Sequence, residues 1–395
     1  MFSIPLSIFK NLILVCDGKK TDWVYTTTFS KCLGFELLSV IMNRAGWVLQ
    51  YLHHFTDLIK DDLFSILKKN LETTSEYSLG LKLCRLSCVI IDRTNYCTNL
   101  VPYMLKFAQT YSYTWQKLLG VESIGYLCRN NKVLKCLYDR KLDIEDINNK
   151  NIYEEFINTI NMITNSIIGL KAPFETNINL QDRKYHLDKS DIFTEEIPLP
   201  IFNQNNLIKI LIDAYSNIID NLTKCLNDYN ANNKLLSTAN LDHINNFNNE
   251  EFNSIKDFIS FKYDNIKITM TALIEFTDDA SILETFLNIY QKYIVIFGVT
   301  GTSNSVARDS YLTDICKLAV PSSISNITKM TEKNIKVSKF LFKIASCFQS
   351  LDTSSWIIIF DALQRIYFIL LNSKLILNIK EEFDIDVLIR NLEEM

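Results

Sequence analysis

Along "TWQKLLGVESIGYLCRNNKVLKCLYD", residues 114–139, Leu118, Val121, Ile124 and Leu127 recur every three residues, with Leu119 and Cys128 filling the four-residue spacing. That pattern lays one apolar stripe along a helix. Asn130 and Asn131 interrupt it, and Val133, Leu134 and Leu137 open a second, shorter helix. Two amphipathic helices joined by a tight polar turn form an αα-hairpin, which cannot bury its own apolar face and must pack against similar units.

The same alternation runs through the chain. "TFSKCLGFELLSVIMNR" puts Cys32, Phe35, Leu38 and Met42 on one helical face. "DLFSILKKNL" and "LGLKLCRLSCVIIDRT" follow, then "LVPYMLKFAQTYS", where Pro102 suits the start of a helix. "NIYEEFINTINMITNSIIGL" brings Ile152, Phe156, Ile160 and Ile163 into register, with Gly169 near its end. No period-two alternation is convincing, and the helix pairs fall near the spacing of armadillo and HEAT units. The expectation is an all-α, armadillo/HEAT-like helical solenoid built as an αα-hairpin stack.

Punctuation divides the chain. Residues 1–20 read as an N-terminal stub and 21–170 as an armadillo-type helical domain. Pro173, Pro198 and Pro200 mark an irregular linker over 171–206. Helical period returns over 207–297, with an Asn-rich loop at 228–250. Residues 298–330 read as a loop and short helix, with Gly298 as a helix C-cap, and 331–395 as C-terminal helical hairpins.

Composition supports the helical reading. Gly and Pro number only 9 and 6 in 395 residues, too few for the turns and phosphate loops of most β and α/β folds. The net charge of −4 offers no global basic field, so nucleic acid is not expected as a partner. Locally, Arg129, Lys132, Lys135, Arg140 and Lys141 face only Asp139, while Glu381–Met395 holds six acids against Arg390. Both read first as solvated helix faces; the basic run is also a candidate patch for an acidic partner or anionic lipid.

The 10 cysteines are scattered on apolar stripes without a CxxC pair, which suits reduced core thiols in the cytosol. The most membrane-like stretch, residues 354–379, is broken by Asp361, Arg365 and Lys374, so no spanning helix is expected.

Catalytic constellations are absent from the pattern. "GVTGTSNS" has Thr302 after Gly301 and no Lys, unlike a phosphate-binding loop. His53 and His54 are adjacent and diverge on a helix, and His186 and His243 lie in the linker and the Asn-rich loop. They make no metal-ligand spacing. No cofactor, metal or enzymatic activity is expected. Glu122 borders an apolar stripe, where a carboxylate commonly accepts hydrogen bonds from orphaned N–H groups of a neighbouring turn. Trp115 and Trp356, near helix starts, read as packing anchors.

The segment "WQKLLGVESIGYLC" resembles one in the large Arf guanine-nucleotide-exchange-factor superfamily, in the branch that holds the Mon-two (monensin-sensitivity) scaffolds. Its matching residues include Trp115, Glu122, Ser123 and Cys128. "GFELLSVIMN", with Gly34 and Glu36, resembles the first helix of the domain homology-upstream-of-Sec-seven (HUS). "RDSYLTDICKLAVP", "TEKNI" and "SSWIIIFDALQRI", with Trp356, resemble the helices that follow it. The resemblance implies a non-catalytic scaffold on the cytoplasmic face of trans-Golgi and endosome membranes. It also implies trafficking partners such as Arf-family GTPases, flippases or retrieval machinery. The family's N-terminal dimerisation domain, exchange domain and long C-terminal region have no counterpart in the pattern. A regulatory segment of an Arf exchange factor is the second expectation. A nuclear-transport-type solenoid is the third, and fits the ordered blocks less well.

Overall fold

The computed structural model describes residues 3–21, 29–94, 98–109, 114–139, 151–169, 185–188, 197–200, 204–232, 250–276, 279–300, 305–320, 330–347 and 351–373. Among them the regular structure is helical throughout, and the fold is all-α. The chain divides into two compact units, residues 1–172 with 179–221, and residues 173–178 with 222–395.

The first unit opens with α1 (Ser3–Cys16) and α2 (Lys31–Leu49), then the short α3 (His53–Asp57) and a π-helical turn (Leu58–Leu63) that continues into α4 (Phe64–Thr73). It proceeds through α5 (Tyr77–Arg93), α6 (Val101–Gln109), α7 (Thr114–Leu127), α8 (Asn131–Asp139) and α9 (Ile152–Gly169). Helix α10 (Gln204–Asn232) begins in this unit and ends in the second. Neighbours stack in sequence: α1 on α2, α2 on α5, α5 on α7, α7 on α6 and α6 on α9. Each hairpin thus covers the stripe that its neighbour cannot bury alone.

Local chemistry sets the helix starts. Ser30 sits in extended backbone, and its hydroxyl accepts from Leu33 N at 3.3 Å, capping α2. The Asn130 side chain accepts from Lys132 N at 3.0 Å and donates to Asp92 Oδ1 at 2.7 Å. The polar joint of the opening hairpin is therefore both a helix cap and a tie to α5.

Close approach is set by missing side chains. A Cβ on Gly120 would lie 2.3 Å from the backbone nitrogen of Ala108, so α7 and α6 meet almost backbone to backbone. Backbone cannot yield as a side chain can. Gly120→Ala is expected to lower the stability of the first unit by about 1–3 kcal/mol, the usual range for overpacking. Urea denaturation of the full chain checks it; an unchanged midpoint would mean the helices separate freely.

The second unit holds α11 (Glu250–Ser260), α12 (Tyr263–Phe276), α13 (Ala280–Val299), α14 (Ser305–Ala319), α15 (Glu332–Cys347) and α16 (Thr353–Ser373). Its centre is aromatic: Tyr293 stacks on Tyr311 at 4.8 Å, and Tyr290 meets Tyr311 edge-on at 4.9 Å. Asp309 on α14 accepts from Ser354 Oγ at 2.7 Å and from Ser355 Oγ, tying down the start of α16.

Two sequence expectations change. Gly298 does not cap α13: the helix runs through it to Val299 and ends at Thr300 in right-handed backbone. The Thr300 hydroxyl donates to Ile296 O at 2.9 Å, satisfying a terminal carbonyl without a left-handed glycine. The membrane-like stretch 354–379 is described only as far as Ser373, and that part is not long and apolar enough to cross a membrane. Among the described residues one helix, Lys31–Leu49, is long and apolar enough to cross a membrane. Its Phe35, Leu38 and Met42 are buried in the first unit, and its Glu36 is ion-paired there, so they serve as core. Arg140, Lys141, His243, residues 301–304, 374–395, most of the expected linker and residues 233–249 of the Asn-rich loop lie outside the described residues.

Candidate functional site

Among the described residues of the first unit, a densely bonded polar cluster lies where α2, α5 and α7 converge on the turn at residues 185–188. Glu36 comes from α2, Arg85 from α5 and Glu122 from α7, and all three are buried. Arg85 Nη1 donates to both oxygens of Glu36, at 3.0 and 2.7 Å. Its Nε donates to Leu187 O at 2.8 Å, and Nη2 to His186 O at 3.3 Å. Glu122 takes the other side of the same peptide groups. Its Oε2 accepts from His186 N at 2.7 Å and Leu187 N at 3.1 Å, while Oε1 lies 2.6 Å from His186 Nδ1.

The turn is thus gripped by its backbone: one buried cation takes its carbonyls and one buried carboxylate takes its N–H groups. A charge can stay buried only when its desolvation is offset by partners, and here Glu36 neutralises Arg85. Side chains add anchors. Tyr185 Oη donates to Asp213 Oδ2 at 2.9 Å, and the Arg129 guanidinium lies 4.3 Å from the Tyr185 ring centre. Burial and the Asp213 carboxylate raise the Tyr185 phenol well above its ordinary range. Arg129 also reaches Asp188 at 3.4 Å. A cavity of about 200 Å³ opens beside Leu187, lined by Glu36, Asn43, Arg85, Cys88 and Tyr126.

The cluster can bind and orient a peptide segment, but it presents no activated nucleophile. Burial pushes the Cys84 thiol up to about 12, moderated by the Ser123 hydroxyl, and raises Cys88 and Cys128 well above their ordinary value. These sulfurs stay protonated at neutral pH. Among the described residues no group of three or more His, Cys, Asp or Glu is arranged to hold a metal ion. His53 is exposed and pairs with Asp57 at 2.7 Å, apart from the cluster.

The sequence-selected positions separate into two groups. Glu36, Glu122 and Ser123 belong to the cluster or its wall, with Ser123 Oγ donating to Leu119 O at 2.7 Å. Cys128 is buried, and its carbonyl accepts from Asn221 Nδ2. Gly34 lets α1 approach α2, since a Cβ there would meet Cys16 Sγ at 2.9 Å. Trp115 packs between α5 and α6, and Trp356 stacks on Phe360 at 5.5 Å in the other unit. Of the basic run, Arg129 is turned onto Tyr185, Lys132 is exposed and Lys135 half-buried. Arg85 was missed. Its signal was an arginine three residues after Lys82 in the otherwise apolar "LGLKLCRLSCVII".

Residues 5–141 match the family model for the HUS domain of Mon2/Sec7/BIG1-like proteins. That part of the chain is similar to a Sec7-like HUS domain. Glu36, Arg85 and Glu122 fall inside the match, and the gripped turn lies beyond it. The match opens at residue 5, inside α1, which packs on α2. "RDSYLTDICKLAVP", "TEKNI" and "SSWIIIFDALQRI" fall outside the matched residues. A protein MON2 homolog of Schizosaccharomyces pombe is 23% identical over 180 residues, covering 43% of this chain and 11% of that relative. The similarity therefore spans about a tenth of the relative's length. No solved structure matches the chain significantly.

Proposed function

We propose that this chain is a non-catalytic scaffold or regulator of Golgi–endosome vesicle traffic, acting through protein–protein and peripheral membrane contacts. The observation that carries this reading is the HUS match over residues 5–141, on helices whose buried charges are spent holding the chain's own backbone. Such a cluster shapes a rigid stack for surface binding and leaves no acid–base pair over for chemistry. Candidate partners are Arf-family GTPases, lipid flippases and retrieval machinery, on the cytoplasmic face of the trans-Golgi network and endosomes.

The similarity of residues 5–141 to the HUS domain of Sec7- and BIG1-like proteins favours a second reading, a regulatory segment of an Arf guanine-nucleotide exchange factor. Nucleotide exchange by an Arf-family GTPase, measured with and without this chain beside a separate exchange domain, distinguishes the two. A changed rate supports regulation, and an unchanged one supports scaffolding.

Affinity capture of the full chain from cytosol, read by mass spectrometry, tests the trafficking reading itself. Recovery of small GTPases, flippases or retrieval coats is expected; chaperones alone would overturn it. Lys132, Lys135, Arg140 and Lys141 are proposed as a contact patch. Changing all four to Glu is expected to reduce capture at least tenfold, as loss of charge complementarity does at charged interfaces. Undiminished recovery would remove the patch.

A further inference from the structure

The cavity of about 200 Å³ beside Leu187 has a wall that the fold leaves unsatisfied. Ser39 lines it from α2 and is 4% exposed. A hydroxyl buried in a helix commonly donates to the carbonyl four residues back, as Ser123 and Thr164 do at 2.7 and 2.8 Å. Ser39 makes no such bond, and its hydroxyl has no hydrogen-bond partner among the described residues. The half-buried Tyr126 lines the same cavity from α7, and its hydroxyl is likewise without a partner there. Burial raises the Tyr126 phenol well above its ordinary range, so it remains a donor at neutral pH. Polar groups shut away from water without a partner cost stability, and natural folds retain few of them. Two unpartnered hydroxyls around one cavity mark a place where a ligand supplies the missing bonds.

We infer that this cavity binds a carboxamide, whose carbonyl oxygen accepts from Ser39 and Tyr126. The charges along the wall argue against an ion. Glu36 is neutralised by Arg85 at 2.7 Å and Asp188 by Arg129 at 3.4 Å, so no net charge faces the ligand. Asn43 Oδ1 already accepts from Arg93 Nη2 at 3.0 Å, which leaves the Asn43 amide nitrogen as a third donor. Three free donors favour a ligand with a carbonyl oxygen over one that only donates. Asp188 Oδ1 receives Arg129, and its other oxygen remains to take an amide N–H at the rim. Val40, Val89 and Leu187 give the cavity an apolar side for the methylene groups that carry the amide. Such a group arrives either as a free small molecule or as an Asn or Gln side chain of a partner polypeptide.

Methyl NMR of the full chain reads binding at Val40, Val89 and Leu187. Acetamide is expected to shift these signals saturably, with a Kd on the order of 10 mM for so small a ligand. Acetate and methylammonium, similar in size but charged, should bind about tenfold more weakly or worse, since neither finds a counter-charge. Ser39→Ala and Tyr126→Phe should each weaken acetamide about threefold or more. Neither change removes a bond that the folded chain makes, so the circular-dichroism melt should not fall. End-blocked Gly-Asn-Gly, set against end-blocked Gly-Ala-Gly, separates the two sources. A gain of about tenfold over acetamide, absent from the alanine peptide, assigns a partner side chain, and a smaller gain assigns a free small molecule. No shift at those methyls, equal binding of acetate, or indifference to both substitutions would each overturn the site.

Discussion

Replacing Arg85 by Met is expected to destabilise the first unit by about 3–5 kcal/mol, the usual consequence of removing one member of a buried ion pair. The size follows from what is left behind. The Glu36 side chain is 1% exposed, and Arg85 supplies both of the bonds its carboxylate receives from that residue. Without the guanidinium the buried Glu36 carboxylate loses the counter-charge that Arg85 supplies, and the carbonyls of His186 and Leu187 lose their Arg85 donors. Equilibrium urea unfolding gives the magnitude. Limited proteolysis near residue 186 gives the location, because the turn should open to cleavage at lower urea than the helices around it. The double variant Glu36→Met, Arg85→Met separates charge from shape. Replacing a whole buried pair by apolar side chains is often close to neutral, so most of the loss should be recovered. The carbonyls would still lack donors, so recovery should be incomplete and proteolysis of the turn should persist. A single-variant loss below about 1 kcal/mol would show that the pair does not hold this corner.

That cluster marks where the sequence was legible and where it was not. The apolar periods of 114–139 gave α7 and α8 and the break between them, because a helix's face is written within a few turns of its own sequence. Glu122 could be singled out for the same reason: a carboxylate beside an apolar stripe is a local anomaly. Its partners could not be named, since the His186 and Leu187 N–H groups lie 64 and 65 positions away. Arg85 and Glu36 are 49 apart, and nothing in either helix states that they meet. The Gly298 expectation failed for a complementary reason. Glycine permits a helix end without requiring one, and the helix ran on until the Thr300 hydroxyl took up the Ile296 carbonyl. Helix α16 was visible as a run of large residues, but only the packed structure separates its buried Trp356, Ile359 and Ile366 from its exposed Ile357, Tyr367 and Phe368. Arg129 shows the limit of charge counting, because a cation tallied in a basic run is turned onto Tyr185 and Asp188.

Trp115→Ala should cost about 3–5 kcal/mol, the range for deleting a large buried aromatic side chain. Trp115 is 6% exposed and joins three helices. Its ring meets Tyr77 of α5 edge-on at 5.9 Å and lies 6.0 Å from Phe107 of α6. The indole also fills the space over Gly80, where a Cβ would come within 2.5 Å of Trp115 Cζ3. That contact gives a test in which one substitution reverses sign. In the natural chain Gly80→Ala drives a methyl into a fixed ring and should destabilise by about 1–3 kcal/mol. Once Trp115 is Ala the obstacle is gone, and the same change should stabilise by roughly 0.5–1 kcal/mol, because alanine exceeds glycine in helix propensity by that amount. The coupling between the two positions should therefore exceed about 1 kcal/mol in a double-mutant cycle, well outside the additivity expected of distant sites. Additive effects would mean that α5 and α7 are not held apart by the indole, and the close fit of Gly80 beneath Trp115 would lose its role in setting the spacing of the stack.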